Sequence, residues 1–200
     1  MRIKRHAGNA DTFRAEIESA CAPGVEGRVC GDHCTVACAR CGSSGCQCRC
    51  SPHCTDAPRG LSSDPAFPIE TLIAPLVFEM KRLGLFEPCW SCEGHARPDG
   101  AMHKSPSVWF YAKAMVHVRL LADGLVKLHG AGRLHTPWRV TVTFSDPNNP
   151  DTTFALEPAL SAEAPVKLAQ LQSDIAEIAR ALPDLMRTQA RALRDEVSTL

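Results

Sequence analysis

The sequence predicts an α+β protein, in which an irregular, cysteine-rich metal-binding module precedes a small two-layer α/β domain. Eight of the eleven cysteines lie between residues 30 and 54, in a stretch with almost no large apolar side chains. From Leu61 onward, apolar residues recur at helical and then at strand spacing. We therefore divide the chain into a polar segment (1–20), a cysteine-rich module (21–60) and an α/β domain (61–200).

The polar segment holds one short candidate helix over residues 11–20. Phe13 and Ile17 are its only large apolar side chains, so we expect little order there. Basic residues follow Met1, but no apolar stretch comes after them, and the sequence therefore does not predict a signal peptide. We expect a bacterial-type protein in the cytoplasm, a reducing compartment where clustered cysteines indicate metal rather than disulfides.

Charge and hydropathy restrict the classes of partner. Basic and acidic residues number 22 each, so no excess of charge indicates binding to nucleic acid or to a membrane surface. No apolar run approaches the ~20 residues that span a bilayer. The partner that we expect is another protein.

The cysteine-rich module offers more ligands than one metal ion needs. Thiolates are soft ligands that prefer zinc, copper(I) or iron–sulfur centres, and two tetrahedral zinc sites need eight ligands. A structural zinc contributes on the order of 10 kcal/mol, enough to order a segment that has no apolar core. We predict a zinc–thiolate cluster with a structural, partner-binding or metal-buffering role, and an iron–sulfur cluster or copper(I) as the alternative cofactor. The candidate ligands are Cys30, Cys34, Cys38, Cys41, Cys46, Cys48, Cys50, Cys54, His33 and His53.

Part of this module resembles a known family. Residues 34–39 read CTVACA, and residues 45–50 read GCQCRC. These two segments resemble the bacterial metallothioneins, in which an Ala-Cys-Ala element precedes Cys-x-Cys pairs. The resemblance implies thiolate-cluster chemistry and is limited to these segments.

A second candidate metal site lies in the α/β domain. Cys89, Cys92 and His95 are spaced at three-residue intervals, and three protein ligands leave the open position that a catalytic zinc needs. Glu93 is the candidate general base, and His103 is a candidate fourth ligand or proton donor. The motif predicts a metal-dependent enzyme as the alternative to a non-enzymatic metal-binding protein. A packing role for the two cysteines also stays open.

The α/β domain is predicted from its alternating spacings. A first helix starts around residues 65–69, bends at Pro75 and ends at Gly84, and a loop with Cys89–His95 follows it. Later elements are the strand Val108–Ala112, the helix Met115–Leu128, the strands Arg139–Phe144 and Thr152–Leu156, and the helix Val166–Glu196.

Two of these elements carry specific expectations about burial. In the strand from residue 139, the alternation predicts that Val140, Val142 and Phe144 face inward. The last helix carries an apolar heptad stripe from Leu168 to Leu185. Such a stripe predicts either packing on the sheet or the seam of a homodimer.

Overall fold

The computed structural model describes residues 10–22, 24, 29–30, 52, 57–64, 66–143, 151–161 and 166–198. Their helices are α1 (Ala10–Cys21), α2 (Ala57–Leu61), α3 (Ala74–Leu83), α4 (Met115–Gly130) and α5 (Leu168–Ser198). Their strands are β1 (Phe86–Cys92), β2 (His95–Ala96), β3 (Met102–Lys104), β4 (Ser107–Ala112), β5 (Trp138–Thr143) and β6 (Thr153–Pro158). The fold is mixed helix and antiparallel sheet, as the α+β class requires.

The main sheet has four antiparallel strands in the order β1-β4-β6-β5, and β2 and β3 form a separate ribbon. Strand β4 was predicted from its apolar run, and the structure confirms it. Val108 pairs with Leu156 and Phe110 with Phe154, and all four side chains are buried in the core. The ring of Phe110 also packs edge-on against Phe86, with their centroids 5.2 Å apart.

The helices cover this sheet and pack against one another. Helix α3 lies against β1, helix α4 lies against β4 and β5, and helix α5 packs mainly against α1, α3 and α4. Helix α5 also reaches the sheet, because its Asp174 accepts the indole N–H of Trp138 in β5. Its apolar stripe is buried inside this chain, with Leu171, Ile175, Ile178 and Leu182 fully covered. No helix among the described residues is long and apolar enough to cross a bilayer.

Helix α1 packs into the core more extensively than its composition predicts. Ile17 and Ala20 are completely buried, and Cys21 belongs to the same core cluster as the buried residues of α5. The expectation of little order was wrong, because it counted only large apolar side chains. Small residues such as Ala20 allow two helices to approach closely, so a short apolar stripe is enough to dock this helix.

Helix α3 begins later than predicted, at Ala74 rather than around residues 65–69. Pro75 occupies its first turn, where a missing N–H removes no helical hydrogen bond, so the proline starts the helix and does not bend it. Gly84 ends the helix in a left-handed conformation with φ of +67°, and its N–H bonds to Lys81 O. That end was predicted correctly.

Two predictions about the strands need correction. The loop expected to hold Cys89–His95 is strand β1 up to Cys92, and β2 starts at His95. Val142, expected to face inward, is 56% exposed. Strand β5 is at the edge of the sheet, so its side chains have a neighbouring strand on one side only and less cover. Phe144 lies outside the described residues.

Candidate metal centre

Cys92 and His95 lie on either side of the tight turn that joins β1 to β2. Gly94 makes this turn with φ of +84°, a left-handed conformation that glycine adopts without strain. Its N–H donates to Cys92 Sγ at 3.4 Å. The structure therefore brings the thiol and the imidazole close together, as their spacing in the sequence suggested.

The third donor is Glu70, from the irregular segment that leads into α3. Its Oε1 lies 2.9 Å from His95 Nε2, and its Oε2 accepts the backbone N–H of Glu93 at 2.6 Å. One ligand atom from each of Glu70, Cys92 and His95 lies within 4.8 Å of the other two. Glu70 was not among the predicted ligands, because no local motif marks a residue that only chain folding brings to this turn.

Glu93, the candidate general base, ties three parts of the chain together. Its Oε2 accepts the backbone N–H of Leu72 at 2.8 Å, and its own N–H donates to the Glu70 carboxylate. Its carbonyl oxygen accepts a hydrogen bond from the side-chain amide of Gln172 in α5 at 3.4 Å. The Glu93 carboxylate thus binds the backbone of the segment that contains Glu70, and the Glu70 carboxylate binds the backbone of Glu93. The Glu93 carboxylate is not a member of the three-donor group.

The three donors differ in their exposure and charge. Cys92 is only 2% exposed, whereas the side chains of Glu70 and His95 are partly open to solvent. Burial raises the pKa of the Cys92 thiol; the Gly94 N–H and Lys104 lower that pKa, and the Glu70 carboxylate raises it further. The thiol therefore carries a proton near neutral pH, and a metal ion has to displace that proton to bind.

Cys89 is close to Cys92 in the sequence but does not belong to the three-donor group. Pro88 pairs with Phe110 and Trp90 pairs with Trp109, so Cys89 is the extra residue of a β-bulge with no partner in the ladder. Its side chain is exposed. The structure thus separates the two cysteines of the predicted Cys89–Cys92–His95 set.

The remaining predicted ligands fall in two groups. Cys30 is buried in a small apolar cluster with Val29, Ala57 and Phe78, and His103 is exposed on β3. Neither belongs to the three-donor group. The other candidates lie outside the described residues: Cys34, Cys38, Cys41, Cys46, Cys48, Cys50, Cys54, His33 and His53.

A cavity of about 800 Å³ opens beside the three-donor group, between the segment that precedes α3 and strand β1. Glu70 lines this cavity together with Phe67, Cys89 and Trp90, and we refer to it as the Glu70 cavity. The ring of Trp90 packs against Trp109 with centroids 5.0 Å apart. Lys104 Nζ lies 4.4 Å from the same ring. Trp90, which lines the cavity, is therefore held in place by both Trp109 and Lys104.

The donor set has a definite chemical preference. A carboxylate oxygen, a thiolate and an imidazole are all common zinc ligands, and three protein ligands leave a fourth tetrahedral position for water or a substrate. Copper(I) and iron–sulfur centres favour sulfur-rich surroundings, which a carboxylate does not supply. The three donors could therefore hold a metal ion that accepts mixed oxygen, sulfur and nitrogen ligands.

No family model matches this chain, and no curated protein and no solved structure matches it significantly. Its function therefore has to be inferred from the chemistry of the site.

Proposed function

We propose that this chain is a zinc-binding protein, and that Glu70, Cys92 and His95 bind one ion on its folded domain. The observation that carries the proposal is the approach of one oxygen, one sulfur and one nitrogen donor to within 4.8 Å of one another. Each donor comes from a different part of the site: the segment before α3, the end of β1 and the start of β2. A metal ion here would link these three parts.

The contacts around the donors support this role, because ligands bind metal best when their own partners hold them in place. The Glu70 carboxylate is oriented by the N–H of Glu93, and Cys92 Sγ is contacted by the N–H of Gly94. An ion that enters from the exposed side of His95 would replace the contact between Glu70 Oε1 and His95 Nε2.

The cysteine-rich module keeps its predicted role within this proposal. Residues 30–54 would form a thiolate cluster, with zinc as the expected metal, that orders the module and presents a surface to a protein partner in the cytoplasm. Replacing Cys48 and Cys50 with serine should lower the metal content of the purified protein. Unchanged metal content in that double variant would contradict the thiolate cluster.

The site on the folded domain is tested by counting metal atoms per chain in full-length protein purified without oxygen. Cys92→Ser and His95→Gln should each lower the zinc content by about one atom per chain, since the other two donors cannot hold the ion alone. Cys89→Ser is the matched control, because it removes a thiol three residues away that lies outside the group. Equal zinc content in Cys92→Ser and Cys89→Ser would contradict the proposed site.

A metal-dependent enzyme is the second candidate function, and the Glu70 cavity is the observation that favours it. A zinc ion with an open position next to a cavity can polarise a substrate carbonyl or activate a water molecule. The zinc-loaded protein would then hydrolyse activated esters, and Cys92→Ser would lose that activity while Cys89→Ser kept it. A metal buffer, in contrast, would exchange its zinc rapidly with a chromogenic chelator and would show no such difference.

A further inference from the structure

The Glu70 cavity shares one wall with the three-donor group. Of the three donors, Glu70 alone lines the cavity, and Cys89, Trp90 and Ser91 continue that wall along β1 towards Cys92. The volume of about 800 Å³ lies within the range of pockets that hold small organic molecules, about 300–1,000 Å³. An exogenous ligand of a metal bound at Glu70 can therefore extend into this space.

Apolar side chains stand exposed around this region. Phe67 is 76% exposed, Leu72 is 47% exposed and Trp90 is 37% exposed. Phe67 and Trp90 line the cavity itself, while Leu72 donates its N–H to Glu93 beside the donor group. Exposed apolar side chains gathered at a concave surface indicate a binding site.

The turn that carries Phe67 is ordered by its own hydrogen bonds. The Ser62 hydroxyl lies 2.7 Å from the carbonyl oxygen of Phe67, and the Asp64 carboxylate accepts the N–H of Ala66 at 2.9 Å. The backbone N–H of Phe67 bonds to Asp64 O at 3.0 Å. Phe67 is thus held at the rim by a defined turn, although its ring has little cover.

Charge on the walls is balanced. Lys81 and Glu87 both line the cavity, and the two charges of a bound zinc ion would be offset by the Glu70 carboxylate and the Cys92 thiolate. The cavity therefore has no net charge that would select an anion or a cation. An uncharged molecule with a polar head and an apolar body fits this lining best.

From the shared Glu70 wall and the apolar rim, we propose that the Glu70 cavity binds a small uncharged organic ligand. The ligand coordinates the metal through an oxygen or sulfur donor and places an apolar group beside Phe67 and Trp90. This inference rests on the proposed metal site. It goes further, because it identifies the class of molecule that occupies the fourth coordination position.

The test compares two uncharged probes with the same sulfoxide head, dimethyl sulfoxide and methyl phenyl sulfoxide, on cobalt-loaded full-length protein. Binding is followed by the change in the visible cobalt spectrum, and only the part of that change that Cys92→Ser abolishes is assigned to this site. The phenyl group should improve affinity at least about tenfold over the methyl group, because it removes more apolar surface from water.

Two alanine variants locate the phenyl group. Phe67→Ala should reduce the preference for methyl phenyl sulfoxide, and Leu160→Ala, which shortens an exposed apolar side chain outside the cavity lining, should leave that preference unchanged. Equal affinity for both probes in the parent, or an unchanged preference in Phe67→Ala, would overturn the inference. Cobalt content that is the same in Cys92→Ser and the parent would instead overturn the metal site itself, so the two failures are distinguishable.

Discussion

Gly94 connects the stability of the fold to the geometry of the donor group, and Gly94→Ala tests that connection. The residue lies between Cys92 and His95 with φ of +84°, where an L side chain is strained. A Cβ atom at this position would lie 2.6 Å from Leu168 Cδ1 and 2.9 Å from Pro106 Cδ. The leucine methyl can rotate away, but the proline ring has no such freedom, so the turn itself has to shift.

The expected cost has two parts. A non-glycine residue in the left-handed conformation costs about 1–2 kcal/mol, and overpacking a filled site costs about 1–3 kcal/mol. Gly100→Ala is the matched control, because Gly100 has φ of +82° and a Cβ there would have no atom of the described residues within 4 Å. Strain and the loss of unfolded-state entropy are common to both variants. Their difference of about 1–3 kcal/mol therefore isolates the packing cost.

Urea unfolding of the two variants, followed by tryptophan fluorescence, measures this free-energy difference, and thermal unfolding measures the corresponding difference in melting temperature. A change of 1 kcal/mol shifts the melting temperature of a chain of this size by about 2–4 °C, so Gly94→Ala should melt roughly 2–12 °C below Gly100→Ala. Its zinc content should also fall, because a displaced turn separates Cys92 from His95. Equal stability and equal zinc content in the two variants would refute the close packing inferred around Gly94.

Two further predictions concern buried polar groups away from the metal site. Asp174 is buried and accepts the N–H of Thr136 and the indole N–H of Trp138. Leaving these two buried donors without a partner costs about 1–3 kcal/mol each. Asp174→Ala should therefore lower the free energy of unfolding, measured in urea, by about 2–6 kcal/mol. Asp184→Ala, on the exposed side of the same helix, is its control and should change stability little; a similar loss in both variants would contradict the role of Asp174. Burial lowers the pKa of His117 from 6.5, although the nearby Glu16 carbonyl oxygen opposes this shift. The unfolded chain therefore takes up a proton that the folded chain does not, and stability should fall as pH drops below about 6.5. His117→Leu should flatten this dependence, whereas a curve as steep as that of the parent would show that other groups cause it.

The elements that were predicted correctly are those whose sequence patterns depend only on residues close together in the chain. In α4, the three- and four-residue spacing of Val118, Leu121, Leu125 and Leu128 identifies the buried face, and all four are buried. In β4, the apolar run identified the strand, of which Val108 and Phe110 are buried and Trp109, Tyr111 and Ala112 are half-buried. Such periodicity reflects the repeat of the backbone itself, so it can be read without knowledge of the rest of the chain.

Predictions failed where the surroundings decide the outcome. Val142 has the same alternation as its neighbours, but it lies on an edge strand and is exposed. The segment before α3 has helical spacing of apolar residues, yet the backbone N–H of Leu72 bonds to the carboxylate of Glu93 on the turn after β1. A loop was expected from Cys89 to His95, but pairing with β4 extends its first part, up to Cys92, into a strand.

The candidate metal site likewise has some features that could be predicted from the sequence and others that could not. The nearness of Cys92 and His95 could be inferred from their spacing and from the glycine between them, because a tight turn is a local structure. The inclusion of Glu70, the separation of Cys89 and the bonding of Glu93 to Leu72 could not be inferred. The contacts of Glu70 and Glu93 depend on how the segment before α3 packs against the turn after β1, and the separation of Cys89 depends on the pairing of β1 with β4. Contacts between residues so far apart in the sequence leave no periodic trace in the chain.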